Sequence, residues 1–243
     1  MKIKNYIGTS GYGYSHWKGI FYPEKLPYRE FFSYYTEFFD TVELNNTFYH
    51  TPRESSIEKW YKSSPPHFIF SIKANKSITH IKRLKNAENS LKLFEGRIAS
   101  LKEKIGVILF QLPPSFKKDI AVLKDFLAML DLKWKYTFEF RHKSWFTDET
   151  YSLLKEKNVA LCISDTPRYP YDETITANYT YIRLHGHKVL YASNYSNEVL
   201  QKYAEKIKKW NEKGITAYVY FDNDYYGYAV KNALYLKKIL EER

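Results

Sequence analysis

Short, almost wholly apolar runs alternate along this chain with longer segments whose apolar side chains recur every three or four residues, a pattern that predicts strand followed by helix. Tyr6 and Ile7 begin a first strand, which enters the glycine-rich loop Gly8 to Tyr14. Residues 28–39 carry Phe31, Phe32, Tyr35, Phe38 and Phe39 at helical spacing, and Thr41 to Asn45 returns to strand. Ile57 and Trp60 mark a helix over 55–63 that Pro65 and Pro66 stop, and Phe68, Phe70 and Ile72 alternate in a strand over 67–73. Beyond a loop over 74–86, Leu91, Phe94, Ile98 and Leu101 form one stripe of a helix over 87–104, which leads into the apolar strand 105–110. Asp119 caps a helix reaching Leu130; strand 136–140, helix 147–157 and strand 159–164 follow. Residues 166–177 are rich in proline and tyrosine and lack helical spacing. Strand 179–184, helix 197–212, strand 215–221 and helix 227–242 complete the chain.

Eight such units without a polar linker predict an α/β fold, a TIM-type (β/α)8 barrel occupying 1–243 as a single domain, with its sixth helix short or missing. That gap leaves an open doubly wound sheet as the alternative. No apolar stretch approaches the ~20 residues that span a bilayer, and no charged leader precedes an apolar run, so a cytoplasmic protein without membrane contact is expected. The formal net charge of +11 would suit a polyanion such as nucleic acid. Most of the basic residues, however, are lysines scattered as KEK, KK and KIKK through the helices, which reads as solvated surface. The one cysteine, Cys162, lies inside an apolar run, which excludes an intramolecular disulfide and any multi-cysteine metal site. Nothing in the sequence fixes an oligomeric state.

In a barrel of this type the working face lies at the carboxyl ends of the strands. Those ends deliver Glu43 and Asn45, then Lys73, then Gln111, then Glu139 and Arg141, then Asp165, then Arg183 and His185, then Asp222, Asn223 and Asp224. Packing alone does not call for charge there, because a buried charge is costly unless it is paired. A structural network among Glu43, Glu139, Arg141 and Arg183 is one reading; a ligand site is the other. Arginine is scarce in this chain, yet Arg83, Arg141 and Arg183 all fall at or just beyond strand ends. With Lys73 they suit an anionic or polyhydroxyl ligand, phosphate first. His185, Glu43, Asp165 and Glu139 are the candidates for acid and base work. Asn45, Gln111, Asn223, Asp224, His80 and Tyr49 are candidates for substrate contact. Lys73 also has the chemistry of a Schiff-base amine, should its neighbours lower its pKa. The sequence requires no cofactor; the carboxylates and the pair His185 and His187 are compatible with a divalent metal.

The motifs Gly8-Thr9-Ser10-Gly11, Val42-Glu43 with Asn45, Thr47-Phe48-Tyr49, Phe110-Gln111-Leu112-Pro113-Pro114, Glu139-Phe140-Arg141-His142, Arg183-Leu184-His185-Gly186 and Asn223-Asp224 resemble, in order and over nearly the whole chain, the family known as domain of unknown function 72, or YecE-like. Tyr12, Leu44 and Asp222 depart from that family's usual residues. The resemblance implies a TIM-type barrel and no established reaction. The expectation is therefore an enzyme, a hydrolase or isomerase, acting on a phosphorylated or polyhydroxylated substrate. A nucleic-acid-binding or phosphodiester-acting barrel and a non-catalytic ligand-binding protein are the alternatives.

Overall fold

The computed structural model describes residues 3–242. Eight parallel strands form one sheet: β1 (Tyr6–Thr9), β2 (Thr41–Leu44), β3 (Ile69–Lys73), β4 (Ile105–Gln111), β5 (Lys135–Glu139), β6 (Ala160–Asp165), β7 (Tyr179–Leu184) and β8 (Thr216–Phe221). From β2 to β8 each strand pairs with the next in sequence, and β1 pairs with β8. The main helices are α1 (Phe31–Thr36), α2 (Asn46–Tyr49), α3 (Glu54–Ser63), α4 (Glu88–Ile98), α5 (Ile120–Ala128), α6 (Asp148–Glu156), α7 (Asn197–Glu212) and α8 (Tyr228–Glu241). Among the described residues no helix lies between β6 and β7, which is the expected gap in the sixth unit; the pairing of β1 with β8 and its bridge to β2 close the sheet, so the open-sheet alternative falls away. Asp119 caps α5 as its sequence predicts, its carboxylate accepting from the Val122 amide at 3.3 Å. Among the described residues no helix is long and apolar enough to cross a membrane.

Closure depends on the seam between β1 and β2, and the chain handles it in an unusual way. These strands meet at a single bridge, Ser10 with Glu43, where the Gly11 amide donates to the Glu43 carbonyl at 2.9 Å. Below it the Tyr35 hydroxyl of α1 takes the place of ladder bonds. It accepts from the Thr9 amide at 3.1 Å and donates to the Thr41 carbonyl at 3.0 Å. Gly8 permits that approach, since a Cβ there would lie 2.4 Å from the Thr41 oxygen.

Side-chain alternation then sorts the strands into two cores. Val42, Phe70, Phe110, Phe138, Ile163, Leu184 and Phe221 face outward and pack under the helices. Val107, Leu109, Ala160, Cys162, Tyr179, Tyr181, Tyr218 and Tyr220 fill the barrel, with Tyr6 and Ile69. Tyrosines in the interior bring hydroxyls with them, and three find partners there: Tyr220 bonds Thr41 and Ser71, Tyr179 bonds the Tyr136 backbone, and Tyr181 donates to Glu43. Above this layer, toward the carboxyl ends, the interior turns from apolar to charged.

Short helical turns not foreseen in the sequence include two beside the barrel mouth. Asn46–Tyr49 is helical, and Ser77–Ile81 forms a π-helical turn inside the expected loop. Tertiary contacts hold them together, because Asn75 accepts from the Ser77 amide at 2.9 Å and donates to the Thr47 carbonyl at 3.1 Å.

Candidate functional site

The charged layer is organised by Arg183, on β7. Strand parity aims it inward above Tyr181, and its side chain is only 1% exposed. Nε and Nη2 grip Glu43 at 2.8–3.2 Å, Nη1 donates to Glu139 at 2.7 Å, and Nη2 also reaches Asp222 at 3.1 Å. Glu43 receives two further bonds, from Ser10 Oγ at 2.7 Å and Tyr181 Oη at 2.6 Å. Glu139 receives Gln111 Nε2 and Arg141 Nε, both at 2.8 Å. Glu43 and Glu139 are wholly buried, yet neither carboxylate lacks donors.

The electrostatic consequences run both ways. Burial pushes the Glu139 carboxyl up, but Arg141, Arg183 and His185 outweigh it and hold it well below the usual range. Asp222 is likewise held low, Arg183 and His185 overcoming its burial. Burial opposes the charge on Arg183, and Glu43, Glu139 and Asp222 restore it. His185 Nδ1 lies 2.8 Å from Asp222 Oδ2, and its Nε2 lies 3.3 Å from Arg183 Nη1.

Above this network opens a cleft of about 460 Å³, lined by Asn45, Phe48, Tyr49, Lys73, His80, Gln111, Arg141, Arg183, Tyr191, Asp222 and Asp224. Its two walls differ in sign. On one, burial, with help from Arg183, lowers the Lys73 ammonium to about 8. Burial, with Lys73 and Arg141, lowers His80 to about 4, so that imidazole is neutral at neutral pH. On the other wall burial and Asp222 raise the Asp224 carboxyl, and burial and Asp222 raise the Tyr191 phenol. The donors in use also differ. Arg183 is committed to carboxylates, whereas Arg141 commits Nε to Glu139 and lays its guanidinium over the Tyr169 ring at 4.6 Å. Lys73 Nζ sits 4.4 Å over the Phe48 ring, with no hydrogen bond or ion pair among the described residues. A larger cleft, about 750 Å³, lies at the opposite end of the barrel around Asn5, Asp40, Asn211 and Lys237. None of the inward charged layer reaches it, so size alone does not locate the site.

The structure gathers most of the sequence candidates and separates some. Asn45, Tyr49, Lys73, His80, Gln111, Arg141, Arg183 and Asp224 face the cleft. Glu43, Glu139 and His185 lie beneath it, joined to Arg183 rather than open to a ligand. Asp165 does not join them. It follows the inward-facing Ser164, so it points outward and accepts from Tyr203 Oη of α7 at 2.9 Å. Asn223 also turns outward, donating to the Ser193 carbonyl at 2.8 Å and to Asn232 at 2.9 Å. Arg83 is exposed and donates to Ser115 Oγ at 3.1 Å, outside the lining of the cleft. Tyr191 is a lining residue that the sequence did not single out; Phe48 and Asp222, the latter expected only as a strand-end carboxylate compatible with a metal, also line the cleft, and parity with the inward-facing Tyr218 and Tyr220 explains the facing of Asp222. His185 and His187 do not converge, because Gly186 turns between them with φ of 91°, and His187 packs on the Tyr195 ring. Among the described residues no group of three or more His, Cys, Asp or Glu side chains is arranged to hold a metal ion.

Fold and site together define a (β/α)8 barrel whose carboxyl-end mouth is floored by an arginine bound to three carboxylates. The chain belongs to the family described as protein of unknown function DUF72, whose pattern matches residues 6–243. It is 33% identical to a DUF72 family protein of Thermotoga maritima whose crystal structure is known; the match covers 98% of this chain and 99% of that one, with a TM-score of 0.88. A DUF72 family protein of Enterococcus faecalis, 20% identical over 98% of this chain and 95% of its own, has a TM-score of 0.84 and shares the fold. Among curated proteins, UPF0759 protein YunF of Bacillus subtilis is 26% identical over 97% of this chain and 94% of its own. UPF0759 protein YecE of Escherichia coli is 24% identical over 73% and 74%.

Proposed function

We propose that the protein is an enzyme acting on a small phosphorylated polyhydroxy compound bound in the carboxyl-end cleft. The observation that carries this reading is the division of the cleft into a cationic wall with unspent donors, Lys73 Nζ and the Arg141 Nη groups, and an acidic wall of Asp222 and Asp224. The anion lies between Lys73 and Arg141, where the guanidinium offers a fork to phosphate oxygens. Hydroxyls meet Asn45, Gln111 and the acidic wall. Asp222 is ionised at neutral pH, touches both Arg183 and His185, and faces the cleft, so it is the group placed to take a proton. Glu43 and Glu139 act through Arg183, as positioning groups. At about 460 Å³ the cleft has the size of sites for small metabolites.

Calorimetric titration with glycerol 3-phosphate tests the anion site. Binding that weakens about 10–100-fold in Arg141→Gln, a loss of roughly 1.4–2.8 kcal/mol, is expected. No binding at millimolar ligand and low salt would sink the reading. Within a panel of sugar phosphates, Asp222→Asn should abolish turnover while retaining binding.

A phosphodiester-acting or nucleic-acid-binding barrel is the second reading, favoured by the exposed rings of Tyr49, Tyr225 and Tyr226 around the same mouth. It predicts affinity for single strands that falls steeply with salt; an affinity confined to monophosphates speaks against it.

A further inference from the structure

We propose that Lys73 is a carbonyl-capturing amine, so that the substrate of the cleft is a phosphorylated aldehyde or ketone held as an imine on the end of β3. This rests on the reading of the cleft as a phosphate site and narrows its substrate class.

The chain shows how it satisfies a buried lysine when the role is structural. Lys104 Nζ donates to the Tyr61 carbonyl at 2.8 Å, the Ser64 carbonyl at 2.9 Å and Ser64 Oγ at 2.8 Å. Lys73 receives none of this. Its amine stands in the cleft over the Phe48 ring, under the influence of the Arg183 and Arg141 charges and, among the described residues, with no carboxylate within ion-pair distance. Burial, with the Arg183 and Arg141 charges, favours the neutral amine, which is the nucleophilic form, and outweighs Glu139, Glu43 and the Phe48 ring face, all of which favour the ammonium. At a pKa of about 8 far more of the amine is neutral at pH 7.5 than the ~1 part in 1000 of an ordinary lysine.

The neighbours supply what imine formation needs. The Lys73 nitrogen adds to the carbonyl carbon and a proton passes to the oxygen, giving a carbinolamine. That oxygen then leaves as water, so amine and carbonyl yield imine and water with no change of oxidation state. His80 stands beside the same Phe48 ring, the two ring centroids 4.9 Å apart, and is neutral at pH 7.5. Its Nδ1 pairs with Thr79 Oγ1 at 2.9 Å, which leaves Nε2 without a protein partner to pass the proton. Arg141 keeps its Nη groups for the phosphate, and Asp222 on the opposite wall is placed for the proton next to the activated carbon.

The experiment incubates the full chain at pH 7.5 with dihydroxyacetone phosphate and sodium cyanoborohydride, then maps reduced adducts by peptide mass spectrometry. Lys73 should be labelled about tenfold faster than the other lysines, glycerol 3-phosphate should protect it, and Lys73→Arg, which keeps the cation, should lose that adduct while remaining folded by circular dichroism. If glycerol 3-phosphate binds but Lys73 is labelled no faster than surface lysines, the imine is wrong and the phosphate site stands. If unphosphorylated dihydroxyacetone labels Lys73 selectively and glycerol 3-phosphate neither binds nor protects, the amine is right and the phosphate site falls. Absence of both selective labelling and phosphate binding overturns both.

Discussion

Replacing Arg183 by Met should show how far the barrel mouth depends on one cation. The guanidinium contacts three carboxylates at 2.7–3.1 Å, two of them wholly buried. At an effective dielectric of about 20 each pairing is worth roughly 5–6 kcal/mol before desolvation. The net cost of stranding buried charges by removing their partner is about 3–5 kcal/mol. Against a typical stability of about 5–15 kcal/mol that is a large loss, and for a chain of this length it corresponds to a Tm lower by roughly 6–20 °C. The sign with pH follows from the shifts. In the native protein Glu139 and Asp222 are held low, so their contribution is present above the unfolded carboxylate range near pH 4 and is lost as pH falls through their folded values. Without Arg183 the burial that opposes their charge gains weight, and the deficit should be largest near pH 7.5 and shrink toward pH 4. Urea denaturation at both pH values measures it. Adding Glu43→Gln and Glu139→Gln to Arg183→Met should recover part of the loss. A deficit below about 1 kcal/mol at pH 7.5, or one that grows on acidification, would refute the reasoning.

Other residues give independent checks. Tyr35→Phe removes the hydroxyl between β1 and β2, leaving the Thr9 amide and Thr41 carbonyl short of a partner; a loss of about 1–3 kcal/mol in urea denaturation is expected, with ligand affinity unchanged. Asp165→Asn should lower stability by about 1 kcal/mol through the Tyr203 bond and leave glycerol 3-phosphate affinity at the native value, as a titration will show. The Lys73 ammonium costs stability below about pH 8 because its folded pKa lies under the unfolded 10.5, and the cost fades as pH rises from about 8 to 10.5. Lys73→Met should therefore exceed the native protein in stability at pH 7 by up to about 3 kcal/mol and lose that lead by pH 10.5; a gap constant with pH would contradict the assigned shift.

Much of the architecture could be read from the chain itself. Apolar spacing located all eight strands and the seven longer helices, because each strand is a buried run and each longer helix carries an apolar stripe. The proline- and tyrosine-rich segment after Asp165 carried no stripe, and no helix forms there. The strand ends also named most residues of the cleft. What they could not supply was facing. In a strand buried on both sides the inner and outer residues are equally apolar, so Asp165 and Asp222, each at the end of a strand, look alike in sequence. One turns out to Tyr203 and the other in to Arg183. Likewise the polar stretches around Asn46 and Ser77 carry no periodicity, and their helical turns exist because Asn75 ties one to the other.

Hydrophobic periodicity and chain order are local properties, and they suffice to specify a barrel and a ring of charge at one end of it. That Glu43 and Glu139 serve Arg183 beneath the cleft, while Lys73 and Arg141 face it with donors to spare, emerges only when the strands are assembled. That division depends on which strand parity meets which neighbour across the barrel, a relation between residues 44 positions apart for Glu139 and Arg183 and 140 apart for Glu43 and Arg183.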